Sequence, residues 1–310
     1  MNDLKRLVVV LGPTASGKSA LGIHLAQQFG GEILVCDSTQ VYRHFDIGTA
    51  KVPAAEQHGI PHHLVDLIEP DAVFTAGEYR RQALVCLEQL CERGKVPILT
   101  AGTGLYLRAL LEGLSEAPTR SESLRTRLRL KSSKRGAPYL HRLLSRLDPE
   151  AAGRIACHDT QKVIRAIEIR VLTGKSVDEV HRTGRTALDG YRITKIGLMP
   201  PRDKLYARID ARTRAMLKSG WIDEVRKLLA SGLSGEEKPL QFLGYTELRQ
   251  VVEGHLTEES AMKQIQQATR QFAKRQITWF RREANVHWLQ GFGDDPEILR
   301  AAVSLANTTA

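Results

Sequence analysis

Leu7-Val8-Val9-Val10-Leu11 runs directly into Gly12-Pro13-Thr14-Ala15-Ser16-Gly17-Lys18-Ser19, and a helix-like segment from Ala20 to Phe29 follows. The octet is a complete G-x-x-x-x-G-K-[ST] phosphate loop, and the order around it is strand, loop, helix. Gly12 and Gly17 allow the tight path. The backbone N–H groups of the loop, with a helix N-terminus behind them, make a nest for phosphate oxygens. Lys18 adds a point charge, and Ser19 offers a hydroxyl to a bound Mg²⁺. The motif specifies phosphate without saying which phosphate compound.

Working outward, residues 32–36 read as a second buried strand and Gly30-Gly31 as the end of the first helix. His63 to Leu67 is a candidate third strand. Thr75 to Glu92 carries a helical stripe of Tyr79, Ala83, Leu84, Leu87 and Leu90. Gly94 stops it, Val96 to Thr100 is another strand, and Ala101-Gly102-Thr103-Gly104 turns into a helix through Leu111. Strands alternating with helices predict an α/β fold: a P-loop NTPase-like core with a parallel sheet, its ligand crevice at the carboxyl ends of the strands.

The character changes at about Ser115. Arg120, Arg125, Arg127, Arg129, Lys131, Lys134 and Arg135 follow, helix patterns continue to about Leu172, and a polar, flexible piece spans Gly174 to Gly190. Residues 116–190 are therefore read as a mainly helical insertion into a core formed by 1–115 and 191–310. Its basic content suits either a polyanion-binding face or solvated helices. Strand character returns at Tyr191 to Met199. Asp203 to Lys218 is a helix with Arg208 and Arg212 on one face. Further helices cover 245–252 and 258–278, Val286 to Leu289 is a last strand, and the tail after Asn307 is expected to fray.

The 310 residues carry 45 Lys and Arg against 35 Asp and Glu, a formal charge of +10. A polyanionic partner suits that balance, as does a mildly basic enzyme. Hydrophobic content of 42% and charged content of 26% place the chain among ordinary globular proteins. Cys36, Cys86, Cys91 and Cys157 are scattered without zinc-ligand spacing, which fits a reducing compartment. No signal-peptide core and no membrane-length apolar stretch occur, so a cytoplasmic location is expected.

Asp37 closes the second strand, where an α/β enzyme places a catalytic or metal-binding residue. Ser38, Thr39 and Gln40 beside it suit the reading of a base edge; a capping Asp with a solvated loop is the plainer reading. Asp37 comes too early for a routine Walker B aspartate. A P-loop small-molecule kinase or nucleotide phosphotransferase, which binds ATP, stays open, with Arg208 or Arg212 clamping phosphates. The run Thr269 to Arg282 is basic with interleaved aromatics. Arg270, Lys274 and Arg281 share one helical face and Phe272 and Trp279 another, giving either a packed aromatic face with solvated cations or a face against RNA phosphates. His62-His63 and Cys157-His158-Asp159 lack the spacing of a metal site.

Longer signatures carry a resemblance: DSTQVYRHFDIGTAK at 37–51, PHHLVD at 61–66, GTGLY at 102–106, RDKLYARIDAR at 202–212, LGY at 243–245 and TRQFAKRQITWFR at 269–281. With the phosphate loop, they make the chain resemble the bacterial tRNA dimethylallyltransferase (tRNA isopentenyltransferase) family over nearly its whole length. The resemblance implies Mg²⁺-dependent transfer of a dimethylallyl group from dimethylallyl diphosphate to N6 of the adenosine at tRNA position 37, in tRNAs reading codons that begin with U. It implies that Asp37 accepts the amine proton and that Lys18, Ser19 with Mg²⁺, and Arg212 neutralise the leaving diphosphate. Thr103 is placed at the channel for the flipped base, and the insertion grips the anticodon stem-loop. Ser38, Thr39, Gln40 and Gln161-Lys162-Val163-Ile164-Arg165 are implied tRNA contacts. Arg125, Arg127, Arg270 and Lys274 are candidates for backbone contacts, and a monomer is expected. The chain departs from the family pattern at Ala101, where glycine is usual, at His158 and Lys162, and at Phe45.

Overall fold

Leu7 to Leu11 are apolar at every position and need cover on both faces. They get it at the centre of a sheet: in the computed structural model all five are fully buried. The structure describes residues 4–115, 117–182 and 184–308. Glu116, the expected start of the insertion, and the end of the expected frayed tail lie outside the described residues. The chain divides into two compact units, Met1–Leu110 with Asp189–Ala310, and Leu111–Leu188.

The first unit opens with β1 (Lys5–Leu11), α1 (Lys18–Phe29), β2 (Glu32–Cys36), β3 (His62–His63), α2 (Ala76–Glu92), β4 (Pro97–Ala101) and α3 (Gly104–Glu112). The second holds α4 (Glu122–Arg135), α5 (Ala137–Leu147), α6 (Pro149–Arg154), α7 (Thr160–Thr173) and α8 (Val177–Arg182). The first then resumes with β5 (Tyr191–Leu198), α9 (Arg202–Lys218), α10 (Trp221–Ala230), α11 (Tyr245–Val252), α12 (Glu258–Phe280), β6 (Val286–Leu289) and α13 (Pro296–Thr308).

The six strands are parallel in the order β3-β2-β4-β1-β5-β6. β1 lies between β4 and β5, so the loops after β1, β2 and β4 open at one end of neighbouring strands. That end is the crevice of a parallel α/β sheet. Val8, Val10, Ile33, Ile98 and Ile196 pack on Leu21 and Leu25 of α1 and on Ala302 and Ala306 of α13. Each large side chain among them contributes roughly 1.5–3 kcal/mol by leaving water.

The third strand is shorter than the apolar run suggests. It ends at His63 because Leu64 and Asp66 take left-handed backbone, with φ of 66° and 53°. The chain turns there and pairs with a different segment, Leu67 N–H and Ile68 N–H both donating to the Val41 carbonyl (2.8 and 3.1 Å). The polar stretch after Gly174 is also not all loop. Ser176 and Glu179 cap each other's backbone N–H groups, and Val177 and Val180 bury, which is enough for the short α8.

In the helical unit, Leu128, Leu140, Leu144, Val163, Ile164 and Ile167 form one core. An ion pair lies inside the same unit: Arg125 Nε and Nη2 donate to the two oxygens of Glu168 at 2.9 and 3.0 Å. Burial pushes the Glu168 carboxyl up, but hydrogen bonds from Arg125, Arg165 and the Ser121 N–H outweigh it and hold the group at about 2.

Candidate active site

The phosphate loop alternates backbone hands, with Ala15 at φ 63° and Gly17 at φ 86°. This turns successive N–H groups inward. α1 begins with no side-chain cap and no acidic residue in its first turn. Its first N–H groups and the positive end of its dipole are thus left for an anion. The loop is held from behind by the Gly293 N–H, which donates to the Ser16 carbonyl at 2.9 Å.

Lys18 Nζ donates to the Pro13 carbonyl at 2.8 Å. Burial pushes its pKa down to about 8; Asp37 raises it and Arg212 lowers it further. Arg212, on α9, is half-buried, which lowers its pKa, and its Nη2 donates to Thr14 Oγ1 at 2.9 Å. Arg208, one turn earlier, is bound to both oxygens of Asp294 at 2.7 and 2.8 Å and lies over the Phe292 ring. Of the two arginines, Arg212 therefore retains the more open guanidinium.

Asp37 follows β2. Its Oδ1 accepts from Thr39 N–H (2.9 Å) and Thr39 Oγ1 (2.7 Å). Its Oδ2 lies against Gly102, where a Cβ would come within 2.4 Å of it. Gly102 and Thr103 N–H groups both donate to the Cys36 carbonyl at 3.0 Å, pinning the loop after β4 beside the loop after β2. Thr103 Oγ1 accepts the Ser38 N–H at 2.9 Å and donates to Ser38 Oγ at 3.2 Å. Gln40 Nε2 donates to the Thr49 and Ala50 carbonyls, fixing the following loop. Ala101 ends β4 with its methyl buried and without a positive φ, so the sheet accommodates it.

Thr14 to Ser19, Asp37, Gln40, Gly102, Arg208 and Arg212 line one cavity of about 680 Å³. Ile23, Ile33, Val35 and Val52 give it an apolar wall. Gly12 and Pro13 form the stem behind it, and Ser38, Thr39 and Thr103 stand beside it, linked by the bonds above. Lys18, Arg212 and Asp37 thus share a pocket next to a helix N-terminus, with Arg208 already neutralised by Asp294.

The residues expected to contact nucleic acid differ in exposure and in the partners they already hold. Arg125 is buried, and its guanidinium is paired with Glu168 inside the helical unit. Val163 and Ile164 face the core of the helical unit, on the apolar side of α7 with Ile167. Arg165 is engaged by Glu168 and the Pro118 carbonyl. Arg270 binds both oxygens of Asp210 at 2.8 Å. Arg127, Gln161, Lys162 and Lys274 are exposed, Lys162 paired with Asp159. The buried stripe of α12 runs through Gln266, Thr269, Ala273, Gln276 and Phe280, whereas Phe272 is 39% exposed and lines the cavity.

Two residues escape the sequence reading. Gln276 is buried, accepts the Thr14 N–H on Oε1 at 2.7 Å and donates from Nε2 to the Gly102 carbonyl at 2.8 Å. The signal was a polar side chain on the apolar stripe of a helix. Glu224 gathers the Asp46, Ile47 and Gly48 N–H groups and the Tyr245 hydroxyl, shaping the loop after Gln40. It lies far away in sequence, with no local signal.

The donor set bears on metal. Among the described residues no three His, Cys, Asp or Glu side chains converge on a cation position. Ser19 is exposed at the cavity, and Ser16 Oγ is buried without a hydrogen-bond partner. That suits Mg²⁺, which keeps waters and takes few protein ligands when phosphates supply the rest. Among the described residues no helix is long and apolar enough to cross a membrane.

Comparison with known proteins follows the same lines. Residues 40–283 match the family model described as IPP transferase. The chain is 51% identical over 297 residues to the tRNA dimethylallyltransferase of Solibacter usitatus, covering 96% of each chain. It is 49% identical over 304 residues to that of Koribacter versatilis, covering 98% of each. Among solved structures it superposes on the tRNA isopentenylpyrophosphate transferase of Bacillus halodurans with TM-score 0.71 at 36% identity over 98% of both chains. A eukaryotic dimethylallyltransferase acting on tRNA gives 0.80 at 27% identity over 97% of this chain and 77% of that one.

Proposed function

The chain belongs to the IPP transferase family, and on that premise we propose that it transfers the dimethylallyl group of dimethylallyl diphosphate to N6 of the adenosine at tRNA position 37 in tRNAs reading UNN codons, releasing diphosphate. The observation that carries the reading is the shared cavity: an uncapped helix N-terminus with Lys18 and Arg212 faces Asp37, whose Oδ2 is left open by the bonds to Oδ1. The relatives named above are dimethylallyltransferases, which disfavours the phosphotransferase alternative.

Adenine N6 is a weak nucleophile because its lone pair is delocalised into the ring. Asp37 Oδ2 orients the amine and takes its proton as the N–C bond forms. The C–O bond to diphosphate breaks, and the charge that collects on the leaving oxygens is met by the loop N–H groups, Lys18 and Arg212. Arg212 is aimed by Thr14, which accepts one of its N–H groups. Ile23, Val35 and Val52 exclude water beside the hydrocarbon. Ser19 and the diphosphate oxygens would hold Mg²⁺, which would supply further charge neutralisation at the leaving group. The exposed Arg127 and Lys274 are candidates to meet tRNA phosphates. Flipping the base costs less in an anticodon loop that is already single-stranded.

Asp37→Ala tests the division of labour. The expected result is a fall in single-turnover rate of about 10²–10⁴-fold with tRNA affinity within about threefold of wild type. Equal losses in both would refute the proton-acceptor role.

A further inference from the structure

We infer that Gln276 is a positioning residue that sets the distance between the amine-activating and leaving-group halves of the site; the inference rests on the transferase reading above. Gln276 is buried in α12, and its amide directly bridges the phosphate loop and the loop after β4. The Thr14 N–H at 2.7 Å can only donate and the Gly102 carbonyl at 2.8 Å can only accept. The orientation of the amide is therefore fixed by its partners, and an ionised carboxylate, which only accepts, cannot satisfy both.

Each partner leads to a reacting group. Thr14 accepts the Arg212 guanidinium at 2.9 Å, which faces the leaving diphosphate. Gly102 forms the back wall of Asp37 Oδ2, close enough that a methyl there would overlap it. The Thr14 N–H is turned back to Gln276 and does not point at the phosphate. Gln276 thus touches neither substrate. It couples the position of the cation that receives charge to that of the carboxylate that receives the proton. Both ends bind their own ligands without it, but the in-line distance between them depends on it.

The consequence is an unusual pH behaviour in Gln276→Glu. Ionised, the new carboxylate accepts from Thr14 but repels the Gly102 carbonyl. Protonated, it donates to Gly102 through its O–H and accepts from Thr14 through its other oxygen, which restores both bonds. Gln276→Glu should therefore gain rate relative to wild type as pH falls.

The experiment measures single-turnover transfer to an unmodified UNN-reading tRNA between pH 5.5 and 8.5 for wild type, Gln276→Glu and Gln276→Leu, with dissociation constants for tRNA and for inorganic diphosphate on the same proteins. The expected result at pH 8 is a rate loss of about a hundredfold in both variants, as misplacement of reacting groups by about 1 Å produces. Both dissociation constants should stay within about threefold of wild type. The ratio of Gln276→Glu to wild-type rate should rise at least fivefold towards pH 5.5, while that of Gln276→Leu stays flat. A Gln276→Leu rate within twofold of wild type overturns the inference, as does loss of both affinities in step with rate. If wild type itself transfers no C5 group, the functional reading fails instead, and the affinity measurements show which has happened.

Discussion

Replacing Gly102 by alanine would put a methyl carbon 2.4 Å from Asp37 Oδ2. Ordinary contact begins near 3.4 Å, so about 1 Å must be found. The carboxylate cannot give it cheaply, because Oδ1 is held by the Thr39 N–H and hydroxyl at 2.9 and 2.7 Å. Neither can the backbone, since Gly102 N–H is bonded to Cys36 and its carbonyl to Gln276. The site must therefore shift its proton acceptor by about 1 Å, for which a loss of about 10²-fold in rate is expected, or about 2.7 kcal/mol in the barrier. Neither ligand relies on Oδ2 for affinity, so the dissociation constants for tRNA and diphosphate should stay within about threefold. The assay is single-turnover transfer from dimethylallyl diphosphate to an unmodified tRNA, with binding measured separately. A Gly102→Ala rate within twofold of wild type would refute the reasoning, because it would mean that the position of Oδ2 does not control the chemistry.

Two further outcomes follow from the charges. Lys18 sits near 8 because burial disfavours its charged form; the protonated form binds diphosphate, so the dissociation constant for dimethylallyl diphosphate should rise by up to about tenfold per pH unit above 8, while Lys18→Arg, always charged, stays flatter over pH 7–9.5. Parallel profiles would contradict that assignment. Glu168 is held at about 2 against an ordinary 4.5, so the stability it gives is fully present above pH 4.5 and is lost as pH falls through 2. Glu168→Gln strands a buried Arg125 and should cost about 3–5 kcal/mol at pH 7 in denaturant unfolding, with the gap to wild type closing between pH 4.5 and 2; a loss under 1 kcal/mol would show the pair to be dispensable.

The core of the fold was legible because it rests on local signals. An unbroken apolar run, a glycine-bounded loop and a helix stripe specify β1, α1 and the phosphate nest without reference to the rest of the chain. Arg125 and Gln276 show where that legibility stops. A basic residue on a basic helix reads as surface, yet Arg125 faces inward because Glu168, some 40 positions on, meets it across the helical unit. Gln276 reads as one polar residue in a charged helix, and its two partners lie 262 and 174 positions away. The His63 to Leu67 strand fails for a related reason. Its apolar pattern is real, but the bonds from residues 66–68 to Gln40 and Val41 reward a turn instead of an extension. Pairing over such separations leaves no trace in a local period.

The central claim is tested most directly by mass spectrometry of an unmodified UNN-reading tRNA incubated with the protein, Mg²⁺ and dimethylallyl diphosphate, followed by nuclease mapping. The account predicts a gain of C₅H₈ on the adenosine beside the third anticodon base, with release of one diphosphate for each group added. No gain across several folded UNN-reading tRNAs, alongside a control enzyme that modifies them, would contradict it.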